Sequence, residues 1–151
     1  AAFGGKKEIM SIIGRGVSQG GTFTNNKPGV AAAWATLDIL SREPILKTIE
    51  KRGQILIDGI STIFKEANVP IVMNGYPSMF SFAIGETKIS DQRSWNNSDK
   101  DFYLKIIEGL IDRGVMPDYD PREPWFLCYS HSEDDVEFTL SALRDALREL
   151  I

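Results

Sequence analysis

Residues 20–29 read GGTFTNNKPG and crowd glycines, threonine hydroxyls and asparagine amides in front of an alanine-rich apolar run. Glycine lets a backbone come close to a ligand, and the first turn of a helix offers N–H groups that have no partner inside the helix. With Thr22 and Thr24 adding hydroxyl donors, such a loop has the chemistry to hold a small anion. A glycine turn capped by Thr or Asn and holding nothing has the same composition, and the spacing matches neither a P-loop nor a G-x-G-x-x-G fingerprint. Glu123 stands between two prolines and near Trp125, a carboxylate in a constrained apolar loop. That is the setting of a substrate contact or of an ordinary surface loop. His131 is the only histidine, so no multi-histidine metal site exists here; it precedes a helix cap. Cys128, the only cysteine, falls in an expected buried strand and reads as an inert core thiol. No triad, metal cluster or carboxylate pair stands out.

Periodicity supplies the elements that carry these residues. Residues 6–13 are a short helical candidate with Ile9, Met10 and Ile13 on one side, and the glycines at 14, 16, 20 and 21 make residues 14–28 a loop. A helix is expected over 28–40, with Pro28 suited to its first turn. A second runs over about 43–67, its apolar positions Ile45, Ile49, Leu56, Ile60 and Ile63 separated by steps of three, four or seven. Strands are expected at 70–73 and at 79–84, where Phe80, Phe82 and Ile84 share a face. Residues 85–99, including Trp95-Asn96-Asn97, are polar and read as a solvated loop. A helix over 100–113 closes at Gly114 as its C′ residue, and 126–129 is a strand candidate. Ser132, with Asp135 three residues on, is a capping box for a last helix bearing Val136, Leu140, Leu143, Leu147 and Leu150. A small sheet with helices packed on one face, an α/β arrangement, is the natural way to bury these stripes.

Composition limits the partners. The chain has 151 residues, 42% hydrophobic and 25% charged, enough for a true core. A formal net charge of −4 and the lack of a basic run argue against nucleic acid as the partner. No apolar stretch reaches the length of a membrane span. A single cysteine fits a reducing compartment, and the expected address is the cytoplasm.

Taken in order, several motifs resemble a known family. Ala2-Phe3-Gly4-Gly5, Lys7-Glu8-Ile9-Met10, Gly21-Thr22-Phe23-Thr24-Asn25-Asn26, and Ala31-Ala32-Ala33 with Ala35-Thr36-Leu37 are similar to class III pyridoxal-phosphate aminotransferases. Within that class they resemble the glutamate-1-semialdehyde aminomutases and their relatives. Gly75 with Ser78-Met79-Phe80, Arg113-Gly114-Val115 with Pro117, and residues 130–135 (SHSEDD) extend the likeness over the whole chain.

The resemblance implies a fold-type I transferase, with residues 1–40 as the end of the large cofactor domain and 41–151 as the C-terminal small domain. It implies a homodimer in which Thr22, beside Gly21, contacts the phosphate of pyridoxal 5′-phosphate held by the neighbouring subunit. Glu123 would line the site of a small amino or keto acid, and the reaction would convert glutamate 1-semialdehyde to 5-aminolevulinate for tetrapyrrole synthesis. The lysine that anchors the cofactor lies, in the family, upstream of the segment matched by Ala2-Phe3-Gly4-Gly5, and Lys6 and Lys7 follow that motif. The chain is therefore expected to be the C-terminal part of a longer enzyme and to be inactive alone. Two other readings stand beside this one: a non-catalytic interaction or dimerisation module, and a related class III aminotransferase with another substrate.

Overall fold

The computed structural model describes residues 2–85 and 88–151. Glu86 and Thr87 of the expected 85–99 loop lie outside the described residues. Two compact units are present, Ala1–Glu43 and Pro44–Ile151.

In the first unit, helix α1 is a single turn, Lys7–Met10, shorter than the expected 6–13. Gly14 and Gly16 adopt positive φ immediately after it, and an isolated bridge joins Ile13 to Val17. Helix α2 spans Lys27–Arg42, with Pro28 in its first turn and Asn26 as its cap. None of its residues is buried.

The second unit runs α3 (Ile45–Glu66), β1 (Ile71–Tyr76), β2 (Met79–Ile84), α4 (Gln92–Asn96), α5 (Lys100–Asp112), β3 (Trp125–Phe126) and α6 (Glu133–Leu150). Its sheet is antiparallel in the order β1-β2-β3, with Met73 opposite Phe82 and Phe80 flanked by Gly75 and Trp125. Alternation along β2 turns Phe80, Phe82 and Ile84 inward, and all three are buried, as their spacing implies. The apolar stripes of α3 (Leu56, Ile60, Ile63, Phe64), α5 (Tyr103, Ile106, Ile107, Leu110) and α6 (Val136, Leu143, Leu147) close over them in one cluster. Phe82 lies 5.4–5.5 Å, centroid to centroid, from Phe64, Tyr103 and Trp125.

Two glycines set the geometry. Gly53 lets α3 lie against the β1–β2 turn: a Cβ there would stand 1.9 Å from the Pro77 carbonyl oxygen. Gly114 takes φ +82 after α5, and the Val115 N–H donates back to the Leu110 carbonyl, the expected C′ ending.

Three expectations are corrected. The 85–99 region holds α4, because Asp91 and Ser94 form a reciprocal capping box. Trp95 therefore sits on a helix, half-buried, with the Lys100 ammonium 4.6 Å from its ring centroid. The last strand is residues 125–126 rather than 126–129. The Leu127 N–H still reaches the Ser78 carbonyl, but the chain then turns, with the His131 N–H donating to the Cys128 carbonyl. Cys128 consequently lies outside the strand and is exposed rather than a core thiol. The Ser132–Asp135 capping box of α6 forms as its spacing suggested.

Candidate functional site

The glycine loop ends on the α2 cap. The Asn26 side chain accepts from the Gly29 N–H at 3.0 Å, and Pro28, which has no N–H, occupies the first turn. Ahead of it, the Thr24 N–H donates to the Gly21 carbonyl and the Asn26 N–H to the Phe23 carbonyl, with Asn25 at φ +60. These bonds fold residues 21–26 into consecutive turns that place Gly21, Thr22 and Thr24 together. No hydrogen bond among the described residues engages the Thr22 hydroxyl or its backbone N–H. All the loop's side chains are exposed. The Asn26 side chain has taken the cap, so the Thr22 hydroxyl and N–H stay free, and hydroxyl plus N–H donors are the chemistry that a phosphate requires.

Glu123 belongs to the second unit and lies in the loop between α5 and β3, where it is exposed. This loop is built from its own aspartates. Asp118 Oδ1 accepts from the Asp120 N–H and Asp120 Oδ1 from the Arg122 N–H, each at 2.9 Å, two successive Asx turns. The Arg122 guanidinium reaches back to both Asp120 oxygens, and the Glu123 N–H donates to the Asp120 carbonyl at 3.0 Å. The Arg122 side chain, more than its backbone N–H, pulls the Asp120 carboxyl down to about 2. Glu123 thus stands on a fixed turn with its carboxylate in solvent.

Beside that loop is a cavity of about 300 Å³ whose lining includes Leu56, Met116, Pro124, Trp125 and His131. The His131 ring is oriented by the backbone: its Nδ1 accepts from the Cys128 N–H at 3.0 Å, so the neutral ring carries its proton on Nε2. Arg52 on α3 donates to the Tyr129 and His131 carbonyls at 3.0 and 2.8 Å and lies over the Tyr129 ring. Its Nε is buried without a partner among the described residues. Asp135 is held low by the Ser132 hydroxyl and N–H.

Of the residues named from the sequence, Gly21 and Thr22 share one turn, whereas Glu123 lies in the other unit. Sequence reasoning passed over Asp120, Arg52 and Tyr103. The Asp-x-Asp spacing at 118–120 is an Asx-turn signal that was available. Nothing in the periodicity of α5 separates Tyr103 from its apolar neighbours. Among the described residues no three His, Cys, Asp or Glu side chains gather into a metal site, and no helix is long and apolar enough to cross a membrane.

No family model matches the chain. Glutamate-1-semialdehyde 2,1-aminomutase of Desulfitobacterium hafniense (strain Y51) is 31% identical over 152 residues, covering 99% of this chain and 35% of that protein. The Thermus thermophilus protein of the same name is 33% identical over 150 residues, covering 97% of this chain and 35% of its own length. The chain therefore spans about a third of the length of the curated relatives it matches. Among solved structures, an omega-transaminase from Sphaerobacter thermophilus superposes with a TM-score of 0.75 at 24% identity, covering 96% of this chain and 34% of that one. The FumI protein of Sphingopyxis sp. MTA144, in its pyridoxal-phosphate internal aldimine form, gives 0.72 at 23% identity over 90% of this chain and 30% of that one. The resemblance read from the motifs is borne out by these relatives, and the fold is that of part of a fold-type I transferase.

Proposed function

We propose that this chain is the C-terminal part of a pyridoxal-phosphate-dependent aminomutase or aminotransferase, and that the reaction of the whole enzyme is conversion of glutamate 1-semialdehyde to 5-aminolevulinate. The observation that carries this reading is the 31% identity to an aminomutase along 99% of the chain. When bound, the cofactor supplies an electron sink for the carbon that bears the amino group. The residues of this chain supply binding and placement. In the homodimer of the whole enzyme, the Thr22 hydroxyl and the N–H groups of the Gly21–Thr22 turn donate to phosphate oxygens of the cofactor in the neighbouring subunit. Their fit rests on free donors in an exposed, capped turn. Glu123, on its aspartate-built turn, faces the amino or keto acid and orients it through its carboxylate.

The test combines this chain with the N-terminal part of such an enzyme and pyridoxal phosphate. Cofactor absorbance and aminomutase turnover are expected only when both parts are present. Removing one hydrogen bond to a charged phosphate costs about 1.5–3 kcal/mol. Thr22→Ala should therefore weaken cofactor binding roughly ten- to a hundredfold without changing the fold. A combined protein that takes up no cofactor would sink the proposal.

A further inference from the structure

The loop that carries Glu123 has one buried polar anchor, and it belongs to α5. Tyr103 is 3% exposed and Trp125 is 7% exposed. The Trp125 indole Nε1–H donates to the Tyr103 hydroxyl at 3.1 Å, and that hydroxyl donates onward to the Asp118 carbonyl at 3.4 Å. One oxygen thereby ties both ends of segment 118–125, and Glu123 lies two residues before the tied indole. The other side-chain tether from this segment to α5, Tyr119 to Glu108 at 3.1 Å, is exposed to water and so holds the loop less firmly. The buried indole N–H needs a partner, and this hydroxyl is what it has. Its burial also raises the Tyr103 hydroxyl above the usual phenol range, with the Asp118 and Asp120 carboxylates acting in the same direction. The group therefore keeps its proton, and the donated bond, through neutral pH.

We infer that Tyr103 is a positioning residue for Glu123: it acts through Trp125 and Asp118 to hold the turn on which the substrate-facing carboxylate stands. This rests on the aminomutase or aminotransferase reading of Glu123. Tyr103→Phe keeps the ring against Phe82 and removes only the oxygen. The buried indole N–H is then left without a partner, the tie to the Asp118 carbonyl is lost, and the turn shifts. A displacement of about 1 Å in a positioning group costs up to a hundredfold in rate.

The experiment uses the assembled enzyme and compares wild type, Tyr103→Phe, Glu123→Gln and the double variant. It reads steady-state kinetics, cofactor binding and the Trp125 indole N–H resonance. Tyr103→Phe is expected to move that resonance, to leave cofactor binding unchanged and to lower kcat/KM roughly ten- to a hundredfold. In the Glu123→Gln background it is expected to lower kcat/KM by less than about twofold, because its effect passes through that carboxylate. If Tyr103→Phe folds poorly, Trp125→Phe removes the donor side of the same bond and should show the same non-additivity. Wild type that binds no cofactor would overturn the enzyme reading and this role together. Active wild type with additive losses, or with kcat/KM unchanged in Tyr103→Phe, would overturn the role of Tyr103 alone.

Discussion

Asp120 builds its loop locally, because its carboxylate, its carbonyl and its backbone N–H are all engaged within residues 118–123. The carboxylate accepts from Arg122 and the carbonyl from Glu123, so the charge state of Asp120 is linked to the position of Glu123. The Arg122 interactions hold the carboxyl at about 2, below the ordinary value of 3.8. A depressed carboxylate stabilises the folded loop above the ordinary value, and that contribution is lost as pH falls through the folded one. Carbon NMR of Asp120 should therefore show no titration between pH 8 and 5. The Arg122 amide, which donates to the Asp120 carboxylate, should shift only below about pH 3. Titration of Asp120 near pH 4, as in a free peptide, would show that the turn is not held this way.

At the scale of elements, the caps of α2 and α6 were legible in the chain, whereas the equally local Asp91–Ser94 box of α4 was overlooked in a polar stretch and the bounds of β3 were not legible. Asn26-Lys27-Pro28 and Ser132 with Asp135 mark the starts of α2 and α6 through bonds that close within three residues. Such bonds depend on local sequence alone. Beta3 was misplaced toward Cys128 because its pairing partner, Met79–Phe80, is some 45 residues away and nothing near residue 126 encodes where pairing stops. The close approach of α3 to the β1–β2 turn belongs to the same long-range class. Gly53→Ala would drive a Cβ into the Pro77 carbonyl at 1.9 Å, and overpacking of this kind costs about 1–3 kcal/mol. Denaturant unfolding of the variant should show that loss, and the amides of Gly75, Tyr76 and Ser78, around Pro77, should shift. An unchanged midpoint would mean that the helix does not lie there.

Across the described residues of the molecule, every buried hydrophobic residue falls between Leu56 and Leu147, within the unit Pro44–Ile151. That unit has its own sheet, three covering helices and a continuous core. Residues 44–151 should therefore fold alone with a single cooperative transition. Leu143→Ala, at a fully buried site on α6, should lower its stability by about 2–5 kcal/mol in denaturant titration. A broad, non-cooperative transition of residues 44–151 would contradict this partition. The sequence by itself determined which residues face inward on β2 and most of those on α3 and α6, where the caps of α2 and α6 fall, and which family the motifs resemble, because periodicity, capping and short motifs are local properties. Only the tertiary structure decided that Cys128 is exposed and that a tyrosine on α5 reaches the two ends of the loop bearing Glu123. The end of β3 depends on pairing with residues some 45 positions away, and the tyrosine's reach on groups that folding brings within hydrogen-bond distance across 15 and 22 residues of chain; side-chain spacing along the sequence carries no record of either.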